Sequence, residues 1–128
     1  MRWLILISVL FFAPVTFAAT VVDPDLKVQA WVRGLDNPTG IAYLDGNGDA
    51  LITQKNDGKV LFVEGKTIAG TALDLPVANA SEEGLLGITL SPTFATDKHV
   101  YLYYTQSDRD GGSPIVNTIK RYTWNGST

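Results

Sequence analysis

Apolar and polar positions alternate in short runs broken by Gly, Asn, Asp and Pro, the pattern of strands joined by tight turns. Lys27 to Arg33 puts Val28, Ala30 and Val32 on one face and reads as a first strand, broken by Asp36-Asn37-Pro38. Gly40 to Leu44 and Ala50 to Gln54 flank Asp45-Gly46-Asn47-Gly48, a hairpin signal because Gly and Asn tolerate positive φ. Asn56-Asp57-Gly58 turns the chain into Lys59 to Glu64, and a weaker run rich in Thr, Ile, Ala and Leu spans Lys66 to Leu75. A second cycle follows: Leu85 to Leu90, the aromatic and β-branched Val100 to Thr105, and Val116 to Trp124. Ser91-Pro92-Thr93 and the polar loop Ser107 to Ser113 separate these runs. With no convincing helical period after Asp23, the pattern predicts an all-β meander.

The two cycles overlay. Gly40-Ile41-Ala42 aligns with Gly87-Ile88-Thr89 at an offset of 47, and Leu51-Ile52-Thr53 falls near Tyr103-Tyr104-Thr105 at about 52. Lys59-Val60 falls near Ile119-Lys120 at about 60, because the second cycle has longer loops. A repeat of roughly 40–50 residues with about four strands is the mark of β-propeller blades. A single β-sandwich of seven or eight strands has the same local pattern, and pattern alone leaves both open. A propeller closes with about four to eight blades. The span from Ala19 to Thr128 holds about two, so the propeller reading makes it the N-terminal portion of a larger protein.

Residues 1–18 stand apart from this pattern. Arg2 precedes an apolar run from Trp3 to Phe12 interrupted only by Ser8, Pro14 breaks it, and Thr16-Phe17-Ala18 offers small residues for a signal peptidase. The expectation is a signal peptide removed after Ala18. The competing reading is an uncleaved anchor, since Trp3 to Val22 carries no charge and is just long enough to span a bilayer. On the signal-peptide reading the protein is exported, periplasmic or secreted, with no stable membrane insertion after cleavage.

Composition narrows the chemistry. The 128 residues carry 10 Lys+Arg, 13 Asp+Glu and one His, and loss of Arg2 with the leader leaves 9 basic against 13 acidic side chains. That balance gives no electrostatic footprint for nucleic acid. The chain has no Cys, which removes disulfide scaffolds, thiolate metal sites and cysteine nucleophiles, and suits an oxidising compartment. Glu82-Glu83, just before Gly84-Leu85-Leu86-Gly87, could bind a cation, serve acid–base chemistry or lie in a solvated turn. His99 sits in a polar turn and reads as a surface imidazole. Asn79-Ala80-Ser81 and Asn125-Gly126-Ser127 match the glycosylation sequon, which matters only in a eukaryotic secretory path. Asp108 to Gly112 has the acidic, glycine-rich flavour of a calcium loop without EF-hand spacing. Tyr101, Tyr103 and Tyr104 are expected to pack and cap a sheet.

Four stretches together resemble one family. Gly34-Leu35-Asp36-Asn37-Pro38 leads to Gly40-Ile41-Ala42; Leu51-Ile52-Thr53-Gln54-Lys55 runs through Gly58-Lys59-Val60. Glu82-Glu83-Gly84-Leu85-Leu86-Gly87 runs on to Pro92-Thr93-Phe94, and Ile119-Lys120-Arg121-Tyr122 closes the set. In order and spacing they are similar to the quinoprotein glucose/sorbosone dehydrogenases, the soluble PQQ-dependent sugar dehydrogenases. The resemblance implies a six-bladed propeller that holds PQQ near bound calcium where the loops converge. It further implies an enzyme that oxidises the C1 hydroxyl of aldoses by hydride transfer to the quinone, with a histidine as base and an electron acceptor whose identity it leaves open. The family residue before x-G-L-L-G lies at the quinone site, which makes Glu82 the cofactor-binding candidate. The family's histidine, quinone-binding arginines and calcium ligands would lie beyond Thr128, so this span alone is expected to be inactive. It departs from the family at Ser91-Pro92-Thr93-Phe94, where His-Pro-Asp-Phe is frequent, and at Thr53-Gln54-Lys55, where Thr-Glu-Arg is usual. A non-catalytic extracellular propeller and a small β-sandwich binding domain are the alternative functional readings.

Overall fold

The structure is a computed structural model and describes residues 19–126; the expected leader lies outside the described residues. Four strands, β1 (Pro38–Tyr43), β2 (Ala50–Gln54), β3 (Lys59–Glu64) and β4 (Thr67–Asp74), pair antiparallel in sequential order. Three more, β5 (Leu85–Leu90), β6 (His99–Gln106) and β7 (Val116–Thr123), make a second antiparallel meander. Each sheet is built from sequential antiparallel neighbours, and among the described residues no strand crosses between them. The all-β expectation holds, with four strands in the first sheet and three in the second.

The turns form where short polar side chains and glycine satisfy the backbone. Asp45 accepts the N–H groups of Asn47 at 2.8 Å and Asp49 at 3.2 Å, closing the β1–β2 hairpin. The Asn47 N–H is the main reason its carboxyl lies below the ordinary 3.8. Between β2 and β3, Gly58 adopts a φ of 63°, and a Cβ there would fall 1.8 Å from the Leu75 carbonyl oxygen.

The core lies between the sheets. Leu51 and Val60 from the first meet Leu85, Val100, Leu102 and Tyr104 from the second, with Leu75 and Val77 of the connecting segment and Phe94 between them. All five β2 residues are buried, so this strand is covered on both faces. At one edge β1 and β5 approach closely: the Thr39 hydroxyl donates to the Leu85 carbonyl at 2.7 Å. A Cβ on Gly40 would fall 2.9 Å from Ile88 Cγ2, so the glycine here serves the approach of the two strands.

Two expectations are corrected. Lys27 to Arg33 forms no strand. Its alternation is real but has no ladder to join, and Val28 is 65% exposed. The residue that packs is Trp31, on the other face of the alternation, whose ring lies 5.4 Å from that of Tyr43. A single helical turn, α1 (Phe94–Asp97), interrupts the second sheet. Four residues are too few to carry a 3.6-residue period, and Lys98, at a φ of 56°, ends the turn.

Gly58 and Gly65 separate backbone strain from steric clash, since both have φ near 60° but nothing lies within 4 Å of a Cβ on Gly65. Gly65→Ala should cost about 1 kcal/mol from the left-handed conformation alone. Gly58→Ala should cost roughly 2–3 kcal/mol more through its clash with Leu75. Thermal unfolding of the two variants beside the wild type checks the difference.

Candidate functional site

Antiparallel connectivity brings one set of loops to one end of both sheets. Lys55 to Gly58 follows β2, the connector Leu75 to Gly84 joins β4 to β5, and Ser107 to Ile115 joins β6 to β7. The connector is bonded on both sides. The Ala78 N–H donates to the Thr105 carbonyl at 3.1 Å, and the Ser107 N–H to the Pro76 carbonyl at 3.2 Å. Asp110 accepts the Val77 N–H at 3.2 Å, and the Asn79 amide donates to the Asn56 carbonyl at 2.9 Å. At the connector's end, the Leu85 N–H donates to the Lys55 carbonyl at 3.0 Å and the Gly84 carbonyl accepts the Thr105 N–H at 2.9 Å.

Glu82 and Glu83 sit on this connector, in different surroundings. Glu82 is exposed, and its carboxylate accepts no hydrogen bond from another described residue. Glu83 is half-buried and lines a recess of about 370 Å³ with Thr105, Pro114, Ile115, Val116 and Asn117. Inside it, the Thr105 hydroxyl donates to the Asn117 side-chain oxygen at 2.8 Å. The adjacent carboxylates therefore do not form a cooperating pair within this chain.

Several nearby charges are committed. Asp57 accepts from Lys59 at 2.9 Å and from the Gln54 amide at 3.0 Å. Burial works against its ionisation, but the Lys59 and Gln54 hydrogen bonds outweigh it and hold the carboxyl below 3.8. Arg109 pairs with Asp108 at 3.0 Å, and the Lys55 ammonium donates to the Ser81 carbonyl at 2.7 Å. Among the described residues no group of three or more His, Asp or Glu could hold a metal ion, and the Asp108–Gly112 loop spends Asp110 on the Val77 backbone.

The other candidates fall elsewhere. His99 begins β6 while Glu82 precedes the antiparallel β5, so the imidazole is a strand's length from the carboxylate. It lies 3.4 Å from Asp97, which also accepts the Ser91 hydroxyl at 2.6 Å, the Thr93 hydroxyl at 2.7 Å and the His99 N–H at 2.9 Å. These bonds, the His99 N–H foremost and then Ser91, hold the Asp97 carboxyl at about 2. This clamp occupies the Ser91-Pro92-Thr93-Phe94 departure and escaped the sequence reading; the Ser/Thr pair ahead of Asp97 was its signal. Asn79 of the first sequon is half-buried and structurally engaged, while Asn125 is exposed. Tyr104 is buried with its hydroxyl 3.3 Å from that of Tyr122, and burial followed by this contact pushes the Tyr122 phenol up. Tyr103 is 39% exposed, and no helix among the described residues is long and apolar enough to cross a membrane.

Two antiparallel meanders with polar loops at one end define an all-β protein. Residues 35–127 match the glucose/sorbosone dehydrogenase family, and the chain belongs to it. It is 36% identical over 104 residues to the uncharacterized protein slr1608 of Synechocystis, covering 73% of this chain and 25% of that protein. Aldose sugar dehydrogenase YliI of Escherichia coli is 29% identical over 105 residues, covering 81% of this chain and 26% of the relative. The chain thus spans about a quarter of the length of these curated relatives. The PQQ-bound aldose sugar dehydrogenase of Streptomyces coelicolor superposes with a TM-score of 0.55 at 26% identity, over 72% of this chain and 32% of that one.

PQQ is a tricarboxylate and needs counter-charges. Lys55, Lys59 and Arg109 at the loop end are each engaged within the chain, so these residues do not by themselves fit the cofactor's anionic groups.

The Asp97 clamp predicts a pH dependence. A carboxyl held at about 2 when folded and ordinarily at 3.8 stabilises the fold above about pH 4, and that contribution is lost as pH falls through 2. Asp97→Asn should lower the melting temperature above about pH 4, and the two curves should converge toward pH 2. Melting curves across that range check it.

Proposed function

We propose that this chain is part of an exported, PQQ-dependent aldose dehydrogenase, and that its two sheets are the first two blades of a six-bladed propeller. Family membership supports the reaction class, and the sheet-by-sheet meander supports the blade reading. The bound quinone would accept the hydride from the sugar's C1. The remaining blades would supply the base, the calcium ligands and the positive groups around the cofactor. The electron acceptor is a separate partner.

Within this chain the role falls to Glu82. The observation that carries it is an exposed, uncommitted carboxylate immediately before x-G-L-L-G, on a connector whose neighbouring groups are tied down. At the mouth of the cofactor pocket, where the resemblance puts it, this carboxylate would border the bound cofactor and accept hydrogen bonds from the hydroxyls of a sugar brought against it. Such interactions lower the barrier when they strengthen as charge develops.

In the complete protein Glu82→Ala should lower kcat by on the order of tenfold or more, about 1.4 kcal/mol in the barrier. Glu83→Ala should do much less, and Glu82→Ala should melt near the wild-type temperature because solvated loop substitutions stay within about 0.5 kcal/mol. Steady-state sugar oxidation with added PQQ and a dye acceptor measures this; equal, small effects would remove Glu82 from the site. Export predicts a mature N-terminus at Ala19. Mass spectrometry of periplasmic or secreted protein reads it directly, and an intact Met1 in the membrane fraction would contradict it.

A further inference from the structure

We propose that Lys55 is the positioning residue for Glu82, setting the direction of that carboxylate from the end of β2 through the Ser81 carbonyl. The inference rests on the role of Glu82 in the preceding subsection.

The Lys55 backbone is fixed at both of its polar atoms. Its N–H donates to the Asn37 carbonyl and its carbonyl accepts the Leu85 N–H, each at 3.0 Å. The side chain runs past Gly84, where a Cβ would fall 2.7 Å from Lys55 Cγ and 2.6 Å from the Lys55 carbonyl oxygen. Only a residue without a side chain leaves room for the stem, and Gly84 also adopts a φ of 137°. The stem ends at the Ser81 carbonyl, 2.7 Å from the ammonium.

That carbonyl belongs to the peptide unit joining Ser81 to Glu82. The unit is planar, so fixing its oxygen restrains the orientation of the plane that includes the Glu82 nitrogen and Cα. On the far side the Glu83 N–H donates to the Ala80 carbonyl at 2.9 Å and closes the turn. Ser81 holds a left-handed φ of 48°, which a non-glycine residue keeps only when its surroundings impose it. The Lys55 ammonium is such a constraint, and Glu82 lies between two restrained peptide groups.

The rest of the connector does not need this bond. Asn79 remains tied to Asn56, Gly84 to Thr105 and Leu85 to the Lys55 backbone whatever side chain stands at 55. Removing the ammonium should free the Ser81–Glu82 peptide while leaving the sheets joined.

The test uses the complete protein with Lys55→Met, which keeps an apolar stem, and Lys55→Arg, which restores the charged donor. Lys55→Met should lower kcat for aldose oxidation roughly three- to tenfold, the scale of a reacting group present but misplaced. Its melting temperature and PQQ affinity should stay near wild type, and Lys55→Arg should recover most of the rate. In a Glu82→Ala background Lys55→Met should change kcat by less than about twofold, because its effect passes through a side chain no longer there. Hydrogen exchange at the Glu83 amide should speed up in Lys55→Met and return toward wild type in Lys55→Arg. An unchanged kcat in Lys55→Met, or the same loss with and without Glu82, would overturn the inference. If Glu82→Ala alone leaves kcat at the wild-type value, the site reading above falls. The exchange measurement then decides separately whether Lys55 holds the loop, and unchanged Glu83 protection overturns that as well.

Discussion

The hydrogen bond from the Leu85 N–H to the Lys55 carbonyl joins the start of β5 to the end of β2, and the arrangement of the two sheets depends on it. Leu85 is fully buried, so an unpaired N–H there would carry the full desolvation cost of a polar group. The same residue's carbonyl accepts the Thr39 hydroxyl at 2.7 Å, which makes Leu85 a junction between both sheets in each of its backbone groups. Gly84 makes the junction possible, because any side chain would collide with the carbonyl that receives the bond.

From this junction the organisation of the loop end follows. The connector must pass from β4 to β5 across the mouth of the inter-sheet core, so its backbone groups find partners in the loops on either side. Asn56 serves one side, Thr105 and Asp110 the other. A segment bonded in this way projects the side chains that its bonds do not use. Glu82 faces solvent and Glu83 the recess beside Thr105, so two adjacent and chemically identical residues reach different environments.

Much of this was legible in the sequence. Short apolar, β-branched or alternating runs bounded by turn residues located all seven strands to within a few residues. The same pattern failed at Lys27 to Arg33, where alternation reports an extended chain but not whether a ladder exists to receive it. The resemblance at x-G-L-L-G implied Glu82 as the cofactor-binding candidate, and the structure places that residue on the connector between the sheets. Lys55 was not legible as its restraint, since 26 residues separate the ammonium from the carbonyl it holds. The Asp97 clamp was hidden differently: Ser91, Thr93 and Asp97 are close in sequence, but only the turn at α1 aims both hydroxyls at one oxygen.

The two ends of the sheets differ in how their acidic groups are used. At the α1 end Asp97 takes two hydroxyls and a backbone N–H; at the β1–β2 hairpin Asp45 closes the turn through the Asn47 N–H, and Asp49 reaches across to the Gly65 N–H of the β3–β4 turn. Those carboxylates hold the fold, and their hydrogen-bonding capacity is largely consumed by it. At the loop end Asp57 and Asp110 do the same, yet Glu82 beside them accepts nothing from the described residues. A carboxylate with no partner in the fold contributes little to folding, which is the setting the proposed role of Glu82 requires. Its neighbours supply the rigidity that such a group needs, because a carboxylate can orient a ligand only if its own backbone is held. The polar bonds of the connector thus do two things at once: they satisfy the backbone across the core's mouth, and they hold the backbone around the exposed Glu82 carboxylate.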